Sequence, residues 1–207
     1  MTKYLDDIVQ YLSYNPIRLD NHLDDGRLNS AGNENEILNF LRKKFKNIQT
    51  PGIRSWYDFK ITNKKNEIFI NIKVSDLENS AADNLSSKLG MGYALTGNKE
   101  MSMCWDLFHQ QIKNEIKLGY DYYFLIVNKN NSCDSFWTSI KRIKTLVPNG
   151  NNLPFQCDWS KNREFSTRSE IEATYYILNQ YIESWDKKVG GYPFELKEIL
   201  VNKKLLD

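Results

Sequence analysis

The stretches SWYDFKI at 55–61 and IFINIKV at 68–74, separated by the polar run TNKKNE at 62–67, decide the fold. In the first, Tyr57, Phe59 and Ile61 alternate with Trp56, Asp58 and Lys60. In the second, Ile68, Ile70, Ile72 and Val74 alternate with Phe69, Asn71 and Lys73. A period of two is the pattern of a strand with one face buried. The polar run between them supplies a turn, so the pair reads as a β-hairpin whose apolar face needs a covering layer.

The flanking sequence provides that layer. Leu5, Ile8, Val9 and Leu12 recur at helical spacing and stop before Asn15 and Pro16. A polar, glycine-containing loop is expected as far as Gly32. A second helix is then expected from Glu34, with Ile37, Leu38, Leu41 and Phe45 on its apolar arc. Glu34 points into that arc and Glu36 away from its centre. Residues 76–97 read as loop with a short helix. Cys104, Leu107, Phe108, Ile112 and Ile116 outline a further helix ended at Gly119, and YYFLIV at 122–127 reads as a buried strand. FWTSIKRIKTLV at 136–147 contains another strand, and 148–168 is a long ordered loop. Ser169 and Glu172 form a capping-box pattern ahead of a final helix striped by Ile171, Tyr175, Leu178, Ile182, Trp185 and Val189. The expected fold is α/β: one domain over 1–207, with a central mixed β-sheet flanked by helices.

Composition excludes several chemistries. The chain has 207 residues, 28 basic and 26 acidic, for a net charge of +2, so bulk charge does not announce a nucleic-acid partner. Two histidines leave little material for a histidine triad or a histidine-rich metal site. Three widely spaced cysteines suit buried reduced thiols better than disulfides or zinc. No apolar run approaches the roughly 20 residues of a membrane span, and MTKYLDDIVQYL lacks the pattern of a secretory signal. A cytoplasmic protein is expected, and any hydrolytic chemistry must rest on carboxylates and lysines.

Asp58, Asn71 and Lys73 are polar residues inside two otherwise apolar strands, where polar groups are costly. Side chains two apart share a face of a strand, so Asn71 and Lys73 project together, and the hairpin brings Asp58 beside them. In this arrangement WYDFK and FINIKVS resemble the PD-(D/E)xK nucleases, more narrowly the type II restriction endonucleases. Asp58 matches the first acid, Asn71-Ile72-Lys73 the D/E-x-K, and Glu34 the carboxylate of the upstream helix, with Glu36 in reserve. Tyr57 replaces the family's proline, and Asn71 replaces its second acid.

The resemblance implies a restriction-endonuclease-like fold and Mg2+-dependent cleavage of double-stranded DNA at a short palindromic site by a homodimer. It also implies a separate cognate DNA methyltransferase. Asp58, Asn71 and Glu34 would hold the metal, and Lys73 would act on the attacking water. The amide at Asn71 leaves open a catalytically inactive DNA-binding module, and a structure-selective repair or RNA nuclease is a further alternative. By resemblance, Asn84, Ser86, Ser87 and Lys88 are candidate DNA contacts after the catalytic strand. Asn149, Asn151, Asn152, Gln156, Lys161, Asn162 and Arg163 are candidates in the loop before the last helix, because amides pair with adenine and cations with guanine or phosphate. The RKKFK run at 42–46 reads as a solvated helix face.

Overall fold

The two alternating segments pair as their pattern predicts. In a computed structural model of the chain, which describes residues 2–19, 26–52, 55–63, 66–79, 82–85, 87–191 and 193–202, strand β2 (Phe59–Asn63) runs antiparallel to β3 (Asn66–Ser75). Phe59 lies opposite Ile70 and Ile61 opposite Ile68, which stacks the apolar alternates of both strands on one face. On its other edge β3 pairs in parallel with β5 (Tyr123–Asn128), from Ile70 against Tyr123 to Ser75 against Asn128. Every residue of β5 is buried, as a central strand requires. β1 (Ile48–Gln49) adds antiparallel to β2 and β6 (Ser135–Ser139) flanks β5, giving a mixed sheet of order β1-β2-β3-β5-β6.

The chain forms two compact units. The first, 1–80 with 123–138, contains this sheet together with α1 (Lys3–Tyr14) and α2 (Gly26–Lys44). Leu5, Ile8 and Leu12 of α1 and Ile37 and Leu41 of α2 share one core with Phe59, Ile61, Ile68, Ile70, Ile72, Leu125 and Val127. Each such side chain removed from water contributes about 1.5–3 kcal/mol. Two polar links tie the N-terminal segment to the β5–β6 hairpin. Trp137 Nε1 donates to Asp6 Oδ1 at 2.8 Å, and Ile17 N–H donates to Ser132 Oγ at 2.8 Å. The loop expected as far as Gly32 is instead the first part of α2. RLNSAGN at 27–33 has no apolar stripe, so the periodicity that marks the rest of the helix is missing there.

The second unit, 81–122 with 139–207, holds α3 (Lys88–Thr96), α4 (Trp105–Glu115), α5 (Glu170–Val189) and α6 (Phe194–Val201). A two-stranded sheet of β4 (Asp83–Asn84) and β7 (Gln156–Cys157) completes it, so the expected long loop carries a strand and a 3-10 turn at Trp159–Asn162. The capping box forms: Ser169 Oγ accepts from the Glu172 N–H at 3.3 Å, and Glu172 Oε2 accepts from the Ser169 N–H at 2.7 Å.

Three side-chain expectations are corrected. α5 buries Ala173, Thr174, Ile177, Leu178, Tyr181, Ile182 and Ser184, while Val189 is 56% exposed. Small residues on that face let the backbone approach closely, a signal that a stripe of large apolar residues hides. α4 ends at Ile116, short of Gly119, and Leu107 faces out while His109 is buried with Nε2 2.7 Å from Tyr181 Oη. Of the three free thiols only Cys157 is buried, and Cys104 is exposed.

The glycines of GMG at 90–92 matter for packing. A Cβ built on Gly90 would lie 2.4 Å from the Tyr122 ring, and one on Gly92 2.8 Å from Phe108. Gly90→Ala is therefore expected to cost about 1–3 kcal/mol, the range for overpacking a filled core. Urea unfolding measures it, and an unchanged midpoint would contradict the packing.

Candidate active site

At its N-terminal end β2 stops one residue short of where β3 still needs a partner. Asp58 fills the gap. Its N–H donates to the Ile70 carbonyl at 2.9 Å, and its Oδ2 accepts the Ile72 N–H at 2.6 Å. The carboxylate thus replaces the carbonyl that would continue the ladder, and it satisfies a backbone donor that would otherwise be buried unpaired. One residue past the pair Phe59 and Ile70, Asp58 also stands across from Asn71. Burial raises its pKa above the ordinary 3.8, while the Ile72 N–H and the Lys73 ammonium partly offset that effect. Asp58 Oδ1 accepts nothing from a described residue.

Asn71 and Lys73 follow on the same face of β3. The Asn71 side-chain oxygen is enclosed by protein and has no hydrogen-bond partner among the described residues. Such an orphan costs about 1–3 kcal/mol unless a water or an ion satisfies it. Ser87 and Thr138 hold orphans too, and that of Asn71 is set apart by its place on the strand face that carries Lys73, across from Asp58. Lys73 is half-buried and makes no ion pair with a described residue, although its charge acts on Asp58. Lys60, one alternate position past Asp58, is by contrast tied to Glu67 at 2.5 Å. The face therefore holds one enclosed carboxylate, one orphaned carbonyl oxygen and one uncommitted ammonium.

A cleft of about 420 Å3 opens beside Asp58, and Glu34 lines it from α2. Glu34 is half-buried there, whereas Glu36 is exposed and lines no part of it. Asn35, Leu38, Asn39 and Arg42 of α2 share the cleft with 50–52 and Tyr57. Arg42 is exposed, as the RKKFK run predicts, and it also borders the cleft. The sequence carries a signal for the latter, because Glu34, Leu38 and Arg42 fall four apart and so stack on one side of a helix. Asn71 and Lys73 are not among the residues that line this cleft. Asp58, Asn71 and Glu34 together would offer a cation oxygen donors only, which suits a small hard one. Among the described residues no three of His, Cys, Asp and Glu gather as a metal site, so such a cation would depend on the Asn71 amide as one of its ligands.

The candidate DNA contacts all belong to the second unit, and they separate into two groups. Asn84, Asn152 and Gln156 come together: Gln156 Nε2 donates to Asn84 Oδ1 at 2.9 Å, and Asn84 Nδ2 donates to Asn152 Oδ1 at 3.0 Å. Asn151 is exposed beside them. The others are employed elsewhere. Asn162 is 0% exposed, and its amide bonds Thr145, Cys157 and Asp158, so it holds the fold and is withdrawn as a contact. Ser87 is buried as well. Lys88 donates to the Met103 carbonyl at 2.7 Å and sits 3.8 Å over the Trp105 ring, where burial lowers its pKa to about 8. Lys161 pairs with Asp158 at 2.9 Å but is exposed, as is Arg163. Ser86 lies outside the described residues.

The basic cluster at 141–144 is likewise committed, because Lys141 is buried against Glu170 at 2.6 Å and Lys144 pairs with Glu164. No protein-family model matches the chain, and no curated protein matches it. Among the described residues no helix is long and apolar enough to cross a membrane.

Proposed function

We propose that this chain is a type II restriction endonuclease of the PD-(D/E)xK superfamily, hydrolysing double-stranded DNA with magnesium. The observation that carries this reading is the orphaned Asn71 oxygen, enclosed next to the Asp58 carboxylate and the uncommitted Lys73 ammonium. Asp58 also closes the ladder at Ile72, but a structural hairpin gains nothing from the orphaned Asn71 oxygen or the unpaired Lys73 ammonium, whereas a hydrolytic centre uses all three. Asp58, Asn71 and Glu34 would hold the cation, which when bound supplies Lewis acidity at the phosphate. Asp58 is fixed for this by its bond to Ile72, so its free oxygen is presented without a rotamer search. Lys73 orients the attacking water and stabilises negative charge developing beside it. Arg42, in the cleft with Glu34, is placed to neutralise a neighbouring phosphate. The restriction-endonuclease-like fold, a homodimer on a palindromic site, a separate DNA methyltransferase and a cytoplasmic location belong to the same reading.

The test is digestion of phage genomic DNA with magnesium and with EDTA, resolved on a gel. Discrete, magnesium-dependent bands are expected. DNA left intact at every protein concentration, with manganese as well as magnesium, would overturn the reading.

One observation favours a second reading. Asn71 contributes an oxygen without charge, so the site carries less negative charge than a two-carboxylate strand would give it. A DNA-binding module that has lost catalysis fits the same geometry. Asn71→Asp separates the two. In an active enzyme it is expected to lower the magnesium concentration for half-maximal cleavage about tenfold or less. Activity appearing only in the variant would establish the inactive module.

A further inference from the structure

The loop leading into β7 and the strand β4 present four side-chain amides in a single line. Asn149 Nδ2 donates to Gln156 Oε1 at 2.6 Å, Gln156 Nε2 to Asn84 Oδ1 at 2.9 Å, and Asn84 Nδ2 to Asn152 Oδ1 at 3.0 Å. The direction of the line is fixed at its start. Asn149 Oδ1 accepts the Asn151 N–H at 2.8 Å, so this amide donates onward through its nitrogen, and each following amide is forced into the same sense.

The line is also held rigidly. Gln156 and Val147 exchange both backbone bonds, at 2.8 and 2.9 Å, and Asn84 lies opposite Gln156 in the β4–β7 register. The Asn149 N–H donates to Ser184 Oγ at 3.0 Å, and Gly150 packs so closely on α5 that a Cβ there would lie 2.7 Å from the Lys187 backbone. Asn149, Gln156 and Asn84 each spend one amide proton in the line and keep another. Each oxygen likewise has a second lone pair, and the Asn152 nitrogen ends the line with both protons uncommitted. Asn84 is exposed and the other three are half-buried, so the line is open to solvent, and the valences it leaves unused alternate between donor and acceptor.

We propose that this amide line is the base-reading edge of the protein and that it reads adenine in the major groove, so that the target site contains A·T pairs. The proposal rests on the DNA-cleaving reading above and adds the class of sequence recognised. Adenine alone among the bases sets an acceptor, N7, beside a donor, N6–H, on that edge, and a carboxamide offers the matching donor and acceptor. Guanine shows two acceptors there and calls for a cation, and the line contains none. Because its orientation is fixed beforehand, the edge loses little freedom on binding. Methylation of adenine N6 replaces the groove-facing proton with a methyl group, and that removes the donor the edge requires.

The test is selection of bound duplexes from a random-sequence library by the full-length protein, with calcium in place of magnesium, followed by sequencing. An enriched motif containing A·T pairs is expected. N6-methyladenine at those pairs is expected to weaken binding about tenfold or more, while 5-methylcytosine elsewhere in the motif leaves it unchanged. Asn84→Asp, which turns the last donor of the line into an acceptor, is expected to lose about tenfold in affinity for the motif. Asn152→Ala, at the free end and outside both strands, is expected to relax the preference at one base pair without disturbing the fold. A motif of G·C pairs alone, or binding indifferent to N6-methyladenine, overturns the proposal. Genomic digestion is scored separately, so the nuclease reading stands or falls independently of this one.

Discussion

Lys73→Ala is expected to reduce DNA cleavage by about 100- to 10,000-fold, the range associated with removing a positioned acid–base group, while duplex binding stays within a factor of a few. The expectation follows from what the ammonium does in the folded chain. It makes no ion pair with a described residue, so truncation breaks none; the Asp58 carboxylate loses one of the two interactions that offset its burial and keeps the other, the Ile72 N–H. Lys60, one alternate position from Asp58 and opposite Phe69, serves as the control. Its charge is spent on Glu67, and Lys60→Ala removes only a partly exposed pair worth about 1 kcal/mol or less. Single-turnover cleavage and calcium-supported binding measure the two effects. A Lys73→Ala protein that cuts at the normal rate would remove the mechanism, and one that fails to bind DNA would give Lys73 a binding role instead.

Asp58→Asn is expected to lower cleavage by about 100-fold or more, since even outer-shell changes at metal sites cost 10- to 100-fold. It should do so without loss of stability. The amide oxygen can still accept the Ile72 N–H, so the ladder stays closed, and the enclosed charge is gone. The sign of the pH effect follows from the raised pKa. The folded chain holds this proton more tightly than the unfolded chain does. Ionised Asp58 therefore detracts from stability at neutral pH, and the deficit fades as pH falls through the raised pKa toward 3.8. Thermal melts should show Asp58→Asn at least as stable as the parent at pH 7–8, with the difference shrinking in acid. Asp58→Ala leaves the Ile72 N–H unpaired and should cost about 1–3 kcal/mol. Cleavage by the parent should decline with falling pH sooner than an exposed aspartate would dictate. An Asp58→Asn protein that loses stability at pH 8 would mean that the carboxylate acts mainly as a structural cap.

The strands that carry the candidate site were legible because their period of two marks half-buried strands. Ile68, Ile70 and Ile72 on one face oblige Asn71 and Lys73 to share the other, and the polar turn obliges β2 to return beside β3. α1 and the box at the start of α5 were legible for the same reason, since both are written in neighbouring residues. The first part of α2 was not, because a helix without an apolar stripe has no periodicity to detect. The buried face of α5 was misplaced where small residues, rather than large apolar ones, make the contact.

The candidate site divides along the same line. Local pattern put Asp58, Asn71 and Lys73 on one face and Glu34 on the inward side of its helix. Pairing between distant strands decided the remainder. It made Asp58 the acceptor for Ile72, left the Asn71 oxygen orphaned, and joined Asn84 to a loop some seventy residues later in one line of amides. The sequence by itself determined which residues could take part, because side-chain direction along a strand or helix is a local property. Only the tertiary structure decided which of them are committed elsewhere, as Asn162 and Lys88 are, because a hydrogen bond or a buried ring contact depends on partners that the chain order does not reveal.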